Sequence, residues 1–274
     1  MVVIMRDTTK DDAKAHSEDT SVMSRMDAPV AERSRYLDPT LDVVFKLLFA
    51  GPETKESLID LLTAVLHPKS PIADVTVLNP EIAKESLGDK GIVLDILVEL
   101  DNGSLVDVEM QVARRPGFRR RSLFYWAKAF TRQLHRGQDY TALRPTVMVA
   151  FLCYNERQST RMHSVFRVYE AQDHECFGDE LELHFVELPK LGSLPDELRD
   201  VEPELIRWST FFTAKTDEEV DAACKGDEAM EKAKNHLELL SSKPDVQQLA
   251  REREMAWATY QIEMGAAREE GVEL

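Results

Sequence analysis

Apolar residues alternate with polar ones over two neighbouring stretches: Ile92, Leu94, Ile96, Val98 and Leu100, then Val106, Val108, Met110 and Val112. A period of two predicts two strands with one buried face, and Asp101-Asn102-Gly103 between them predicts a hairpin. Asn-Gly admits two loop lengths. A two-residue turn pairs residues whose numbers sum to 205; a three-residue loop, with Gly103 as a left-handed bulge, pairs residues summing to 204. Every apolar position in both strands is even-numbered, and a slip of one residue moves side chains to the other face. Only the second register puts both apolar sets on one side. It also sets Asp95 opposite Glu109, with Gln111 one step along on that face.

The remaining periodicity predicts the elements around this hairpin. Val43, Val44, Leu47 and Leu48 recur at helical spacing, with Asp38 or Thr40 as a cap and Pro39 near the first turn. A second helix is expected over 54–66, ending before Pro68, and a strand over 72–78. After Pro116-Gly117, residues 118–136 read as an amphipathic helix ended by Gly137. Leu123, Ala127, Phe130 and Leu134 form its apolar face; Arg121, Lys128, Arg132 and Arg136 form the opposite one. Residues 146–154 read as a buried strand, with further strands over 165–169 and 181–188. Beyond Pro203 the pattern is helical, with Trp208, Phe211 and Phe212 packing early. Helix, three strands, helix, strand is the order of an α/β core with a helical C-terminal extension. The expected organisation is a disordered tail over 1–35, an α/β domain over 36–190 and helices over 191–274.

Charge complicates this picture. The 274 residues carry a net charge of −16, which by itself argues against nucleic-acid binding. Yet Arg114, Arg115, Arg119, Arg120, Arg121, Lys128, Arg132 and Arg136 follow one another without an intervening acid. A basic segment of this kind is either a solvated helix face or a phosphate-contacting one. No apolar run is long enough to span a bilayer, and the N-terminus lacks a secretory pattern. Three scattered cysteines, Cys153, Cys176 and Cys224, argue against a disulfide framework and for a cytoplasmic protein without membrane contact. His174-Glu175-Cys176 reads as a surface loop, because no second ligand pair sits at zinc-site spacing.

The chemistry expected of the hairpin follows from its register. Directly opposed side chains start about 5 Å apart at Cβ, close enough for one ion to bridge two carboxylates. Two facing acids repel unless a cation or proton intervenes. Asp95, Glu109 and Gln111 are therefore candidates for a divalent-metal site that cuts phosphodiester bonds; the alternative is a half-exposed face of solvated acids. Asp42 and Lys46 stand four apart on the first helix, as a further acid and cation of such a site or as a plain ion pair.

Three blocks of residues resemble one family. They are Asp42-Val43-Val44-Phe45-Lys46-Leu47-Leu48-Phe49, like a DxxFKxxF helix; Leu94-Asp95-Ile96 with Val108-Glu109-Met110-Gln111; and Phe124-Tyr125-Trp126-Ala127 leading to Gly137-Gln138-Asp139-Tyr140. Weaker matches lie at Glu187-Leu188-Pro189-Lys190 and Trp208. Together they resemble the PD-(D/E)XK superfamily in its recombination-promoting nuclease and transposase branch. The resemblance implies a restriction-endonuclease-like αβββαβ core, DNA as partner, and Mg²⁺-dependent cleavage with Mn²⁺ as a substitute. By position Asp95 and Glu109 would bind the metal, and Gln111 stands where the superfamily has lysine. Glutamine cannot supply lysine's point charge, which leaves the metal, or a cation such as Lys46 or Lys90, to take over that role. It also leaves open a second reading, a catalytically inactive DNA- or protein-binding module. Arg121, Lys128, Arg132 and Arg136 are the candidate DNA-backbone contacts, and the charged C-terminal helices a candidate surface for homo-oligomers.

Overall fold

The computed structural model describes residues 34–79, 96–269 and 271. Lys90 and Asp95 lie outside the described residues, as does the expected tail before Ser34. The chain divides into two compact units, of which Ser34–Trp257 carries the sheet and its helices. In chain order the elements are α1 (Asp42–Phe49), α2 (Lys55–Leu66), β1 (Val75–Val77), β2 (Ile96–Leu100), β3 (Leu105–Gln111), α3 (Phe118–Thr131), β4 (Thr146–Leu152), β5 (His163–Arg167) and β6 (Leu181–Glu187). The helices α4 (Asp196–Arg199), α5 (Pro203–Thr213), α6 (Asp217–Cys224), α7 (Glu228–Ser242) and α8 (Pro244–Glu269) follow.

Among the described residues six strands form one sheet in the order β1-β2-β3-β4-β6-β5. The hairpin adopts the expected register, with Ile96 opposite Val108 and Val98 opposite Val106. Leu100 N donates to Ser104 O at 2.9 Å, Gly103 N donates to Leu100 O at 2.9 Å, and Gly103 has φ +82°. That left-handed backbone is open to glycine at little cost, which explains its place in the bulge. β3 and β4 run parallel, with Glu109 beside Ala150 and Gln111 beside Leu152. A parallel pair needs a crossover, and α3 supplies it. The result is the expected αβββαβ arrangement within a mixed α/β structure.

The two faces of the sheet bury different things. Even-numbered residues of β2 and β3 pack with Val44, Phe45, Leu48 and Phe49 of α1 and Leu58, Leu61 and Leu62 of α2. Trp208, Phe211 and Phe212 of α5 and Leu237 and Leu240 of α7 complete this core, so helices beyond residue 190 share it with the sheet. The opposite face carries Met148, Ala150, Leu152, Leu183 and Phe185, covered by Phe118, Tyr125 and Trp126 of α3. Leu97 packs there with Ala129.

Two local expectations are corrected. The cap of α1 is Leu41, without a side-chain bond to the helix, while Asp38 Oδ1 accepts from Thr40 N in a turn just before it. More consequential is α3. It ends at Thr131 rather than near Gly137 and buries Phe118, Ser122 and Ala129, whereas Leu123 is 48% and Phe124 54% exposed. The helix is rotated from the expected face because its aromatic residues settle on β4: Trp126 Nε1 donates to Thr146 O at 2.8 Å, and Phe130 stacks on Trp126. Gln133, just past the helix, exchanges two hydrogen bonds with the Arg144 backbone and so ties the chain to the entry of β4.

Candidate active site

β3 alternates, and its odd-numbered side chains Asp107, Glu109 and Gln111 lie on the face covered by α3. This face is not the half-exposed surface of solvated acids that the sequence allowed. Asp107 is 0% and Glu109 2% exposed. Burying an ion costs several kcal/mol unless hydrogen bonds and opposite charge offset it.

Part of that offset is visible. Gln111 Nε2 donates to Glu109 Oε2 at 2.8 Å, and Arg121 Nη2 of α3 donates to Gln111 Oε1 at 2.7 Å. The amide thus bridges a buried carboxylate and a guanidinium, with both ends committed. Arg121 also lies over the Phe118 ring, 5.7 Å from its centroid. Of the sequence-derived candidates, Glu109, Gln111 and Arg121 are therefore brought together.

The others have distinct environments. Asp42 at the start of α1 meets Arg253 Nε of α8 at 2.7 Å, and its Oδ1 accepts from Val43 N at 2.8 Å. Burial raises the Asp42 carboxyl above its ordinary value, opposed chiefly by the Arg253 charge. Its charge partner thus comes from an element some 200 residues away in sequence. Lys46 is buried on α1. Lys128, Arg132 and Arg136 are exposed beyond the sheet-covering face of α3.

The basic segment separates into two groups. Glu156 holds Arg119 at 2.8 Å and Arg114 at 3.5 Å. Its loop is fixed in turn by Glu187 Oε1, which accepts from the amides of Glu156 and Arg157, while Glu187 Oε2 meets Lys190 at 2.6 Å. Arg115 covers the Trp257 ring at 4.8 Å. What remains is Arg120, Lys128, Arg132 and Arg136, all exposed and without an acidic partner among the described residues. Arg120, Phe124 and Lys128 of α3 and Arg132 at its C-cap recur every four residues and so form one exposed stripe. Sequence reasoning puts Arg120 in the basic segment but not among the backbone contacts, and gives Phe124 no contact role. The signal was present in the spacing, but the assumed apolar face turned them away from solvent. Asp107 was missed too, although its parity matches Glu109.

Which cation suits this site can be judged from its donors. Glu109 and Asp107 offer carboxylate oxygens on one buried face, donors of the kind hard divalent ions take, while the Gln111 amide oxygen is already held by Arg121. The buried acids on this face fit a divalent metal.

Residues 39–264 match the family model described as PD-(D/E)XK nuclease family transposase. No curated protein and no solved structure compared with the chain matches it. No helix among the described residues is long and apolar enough to cross a membrane.

Proposed function

The chain belongs to the PD-(D/E)XK nuclease family of transposases, and from that premise we propose that it is a metal-dependent endodeoxyribonuclease with little sequence preference. The observation that supports the reading is the chain Glu109–Gln111–Arg121 on the buried face of β3. Asp95 and Glu109 are the residues that would hold Mg²⁺, with Mn²⁺ as a substitute. Such an ion, when bound, acidifies a water and offsets charge on the scissile phosphate.

Gln111 keeps the Glu109 carboxylate oriented through its amide hydrogen. It replaces the point charge of a lysine with a neutral group, and the Arg121 guanidinium stands one hydrogen bond further out. A guanidinium has five N–H donors, so Arg121 retains donors for a phosphate oxygen after binding Gln111. Arg120, Lys128, Arg132 and Arg136 then hold the backbone on either side of the cut. Phosphate contacts carry no base information, hence the weak sequence preference. The exposed Phe124 ring among these cations suits contact with a sugar or an unstacked base.

Nicking of supercoiled plasmid DNA in Mg²⁺ tests the reading. Asp95→Ala and Glu109→Gln should each reduce the rate by about 100-fold or more while retaining the melting temperature to within a few degrees. Undiminished cleavage by either variant overturns the assignment of the metal-binding acids. DNA binding without turnover in both Mg²⁺ and Mn²⁺ replaces it with a non-catalytic DNA-binding module.

A further inference from the structure

A second cluster of ligating side chains lies on the other edge of the sheet. His163 opens the edge strand β5, His67 caps the C-terminus of α2, and Glu202 precedes the first turn of α5. Separate elements, up to 135 residues apart, converge on one carboxylate oxygen. Glu202 Oε1 is 2.6 Å from His163 Nδ1 and 3.2 Å from His67 Nε2, and all three ligating atoms lie within 4.8 Å of one another.

The donor and acceptor roles around His163 constrain what can sit here. On its far side His163 Nε2 is 2.9 Å from His184 Nδ1, and His184 Nε2 is 2.8 Å from Glu182 Oε1. Glu182 also accepts from Arg167 at 2.8 Å. A carboxylate only accepts, so His184 donates from Nε2 and, in the neutral form, accepts at Nδ1. His163 therefore donates from Nε2, so Nδ1 is the ring atom turned to Glu202 Oε1, at 2.6 Å. That separation is the length of a shared proton, and a metal ion taking both atoms as ligands would displace the proton and open the contact.

From this geometry we propose that His67, His163 and Glu202 bind one transition-metal ion, with Zn²⁺ the matching chemistry. Two imidazoles and one carboxylate are a set that zinc takes, with bonds of about 2.0–2.2 Å. In a tetrahedral site such bonds place ligand atoms roughly 3.3 Å apart. The Glu202–His67 separation already has that value, and the Glu202–His163 contact must open by less than 1 Å to match it. The His163–His184–Glu182 relay is the outer support that fixes a ligating histidine's tautomer and ring plane. His67 itself is held in the left-handed region at φ +45°, a conformation uncommon for a residue with a side chain. Three protein ligands leave the fourth position open. Beside His163 and Glu202 is a cavity of about 360 Å³ that is also lined by Arg157, Arg161 and Ser164, so water or a small anion can complete the coordination.

This site is independent of the nuclease reading. Its donors include nitrogen, unlike the oxygen set around Glu109, so zinc and magnesium select between them. The test uses the full chain stripped with chelator and titrated calorimetrically with ZnCl₂, in parallel with Co²⁺ followed by visible absorption. One Zn²⁺ per chain is expected, with intense Co²⁺ ligand-field bands of a tetrahedral site. Mg²⁺ should not compete. His67→Asn keeps a residue that tolerates the left-handed cap, and Glu202→Gln keeps the side-chain shape. Each should weaken Zn²⁺ about 100-fold or more, since even outer-shell changes cost 10–100-fold. Glu109→Gln should leave Zn²⁺ affinity unchanged. No zinc uptake by the native chain, or unaltered affinity in both His67→Asn and Glu202→Gln, overturns the proposal.

Discussion

The stripe of Arg120 and Lys128 on α3 and Arg132 at its C-cap, with Arg136 just beyond, makes a quantitative prediction about DNA binding. These four cations are exposed and have no acidic partner among the described residues, whereas Glu156 holds Arg114 and Arg119. If each of the four neutralises one phosphate, binding releases counterions and log K falls against log salt with a slope of about −3.6. Raising salt from about 50 to about 200 mM then weakens the native chain roughly 150-fold. The triple variant Arg120→Ala, Lys128→Ala, Arg132→Ala retains about one contact, a slope near −0.9 and only about a 3.5-fold loss over the same range. Fluorescence anisotropy of a labelled duplex in chelator, where nothing is cut, measures both slopes. The substitutions are on the surface and should change stability by no more than about 0.5 kcal/mol. Arg114→Ala with Arg119→Ala is the matched control and should leave the slope nearly unaltered. A triple variant with the native slope, or a control with an equally large effect, refutes the assignment of the stripe.

Arg121 should behave differently from its neighbours because it faces Gln111 and not solvent. Arg121→Met is expected to lower the single-turnover cleavage rate by about 100-fold with little change in DNA affinity; weakened binding with an intact rate contradicts that role. The Glu182 carboxyl is held down to about 2, where burial pushing it upward is outweighed by hydrogen bonds from His184 and Arg167. A carboxyl depressed on folding adds stability above its ordinary value of about 4.5 and loses that contribution as pH falls toward about 2. Glu182→Gln should therefore be less stable than the native chain at neutral pH by about 1.5–3 kcal/mol, the usual worth of hydrogen bonds to a charged group. Urea denaturation across pH should show the gap closing below about 4.5; a gap that is constant or widens on acidification contradicts the sign.

What the amino-acid order determined by itself was governed by short-range rules. Parity along β2 and β3, together with Asn102-Gly103, decided the hairpin register, because pleat and turn geometry are set within a few residues. The same parity put Glu109 and Gln111 on one face, and the order of periodic segments yielded the αβββαβ arrangement. Only the tertiary structure decided the rest. The face that α3 presents depends on where Tyr125 and Trp126 find room on β4, and this rotation put Arg120 in the outer stripe and turned Arg121 toward Gln111. Burial of Glu109 required a helix over a sheet face that alternation alone left open to water. Asp42 found Arg253, and His67 and His163 found Glu202, through contacts that close only when distant segments pack. Local sequence carries the dihedral preferences and the period of each element. It carries no comparable signal for which side chains from separate elements converge, since packing settles that for the chain as a whole.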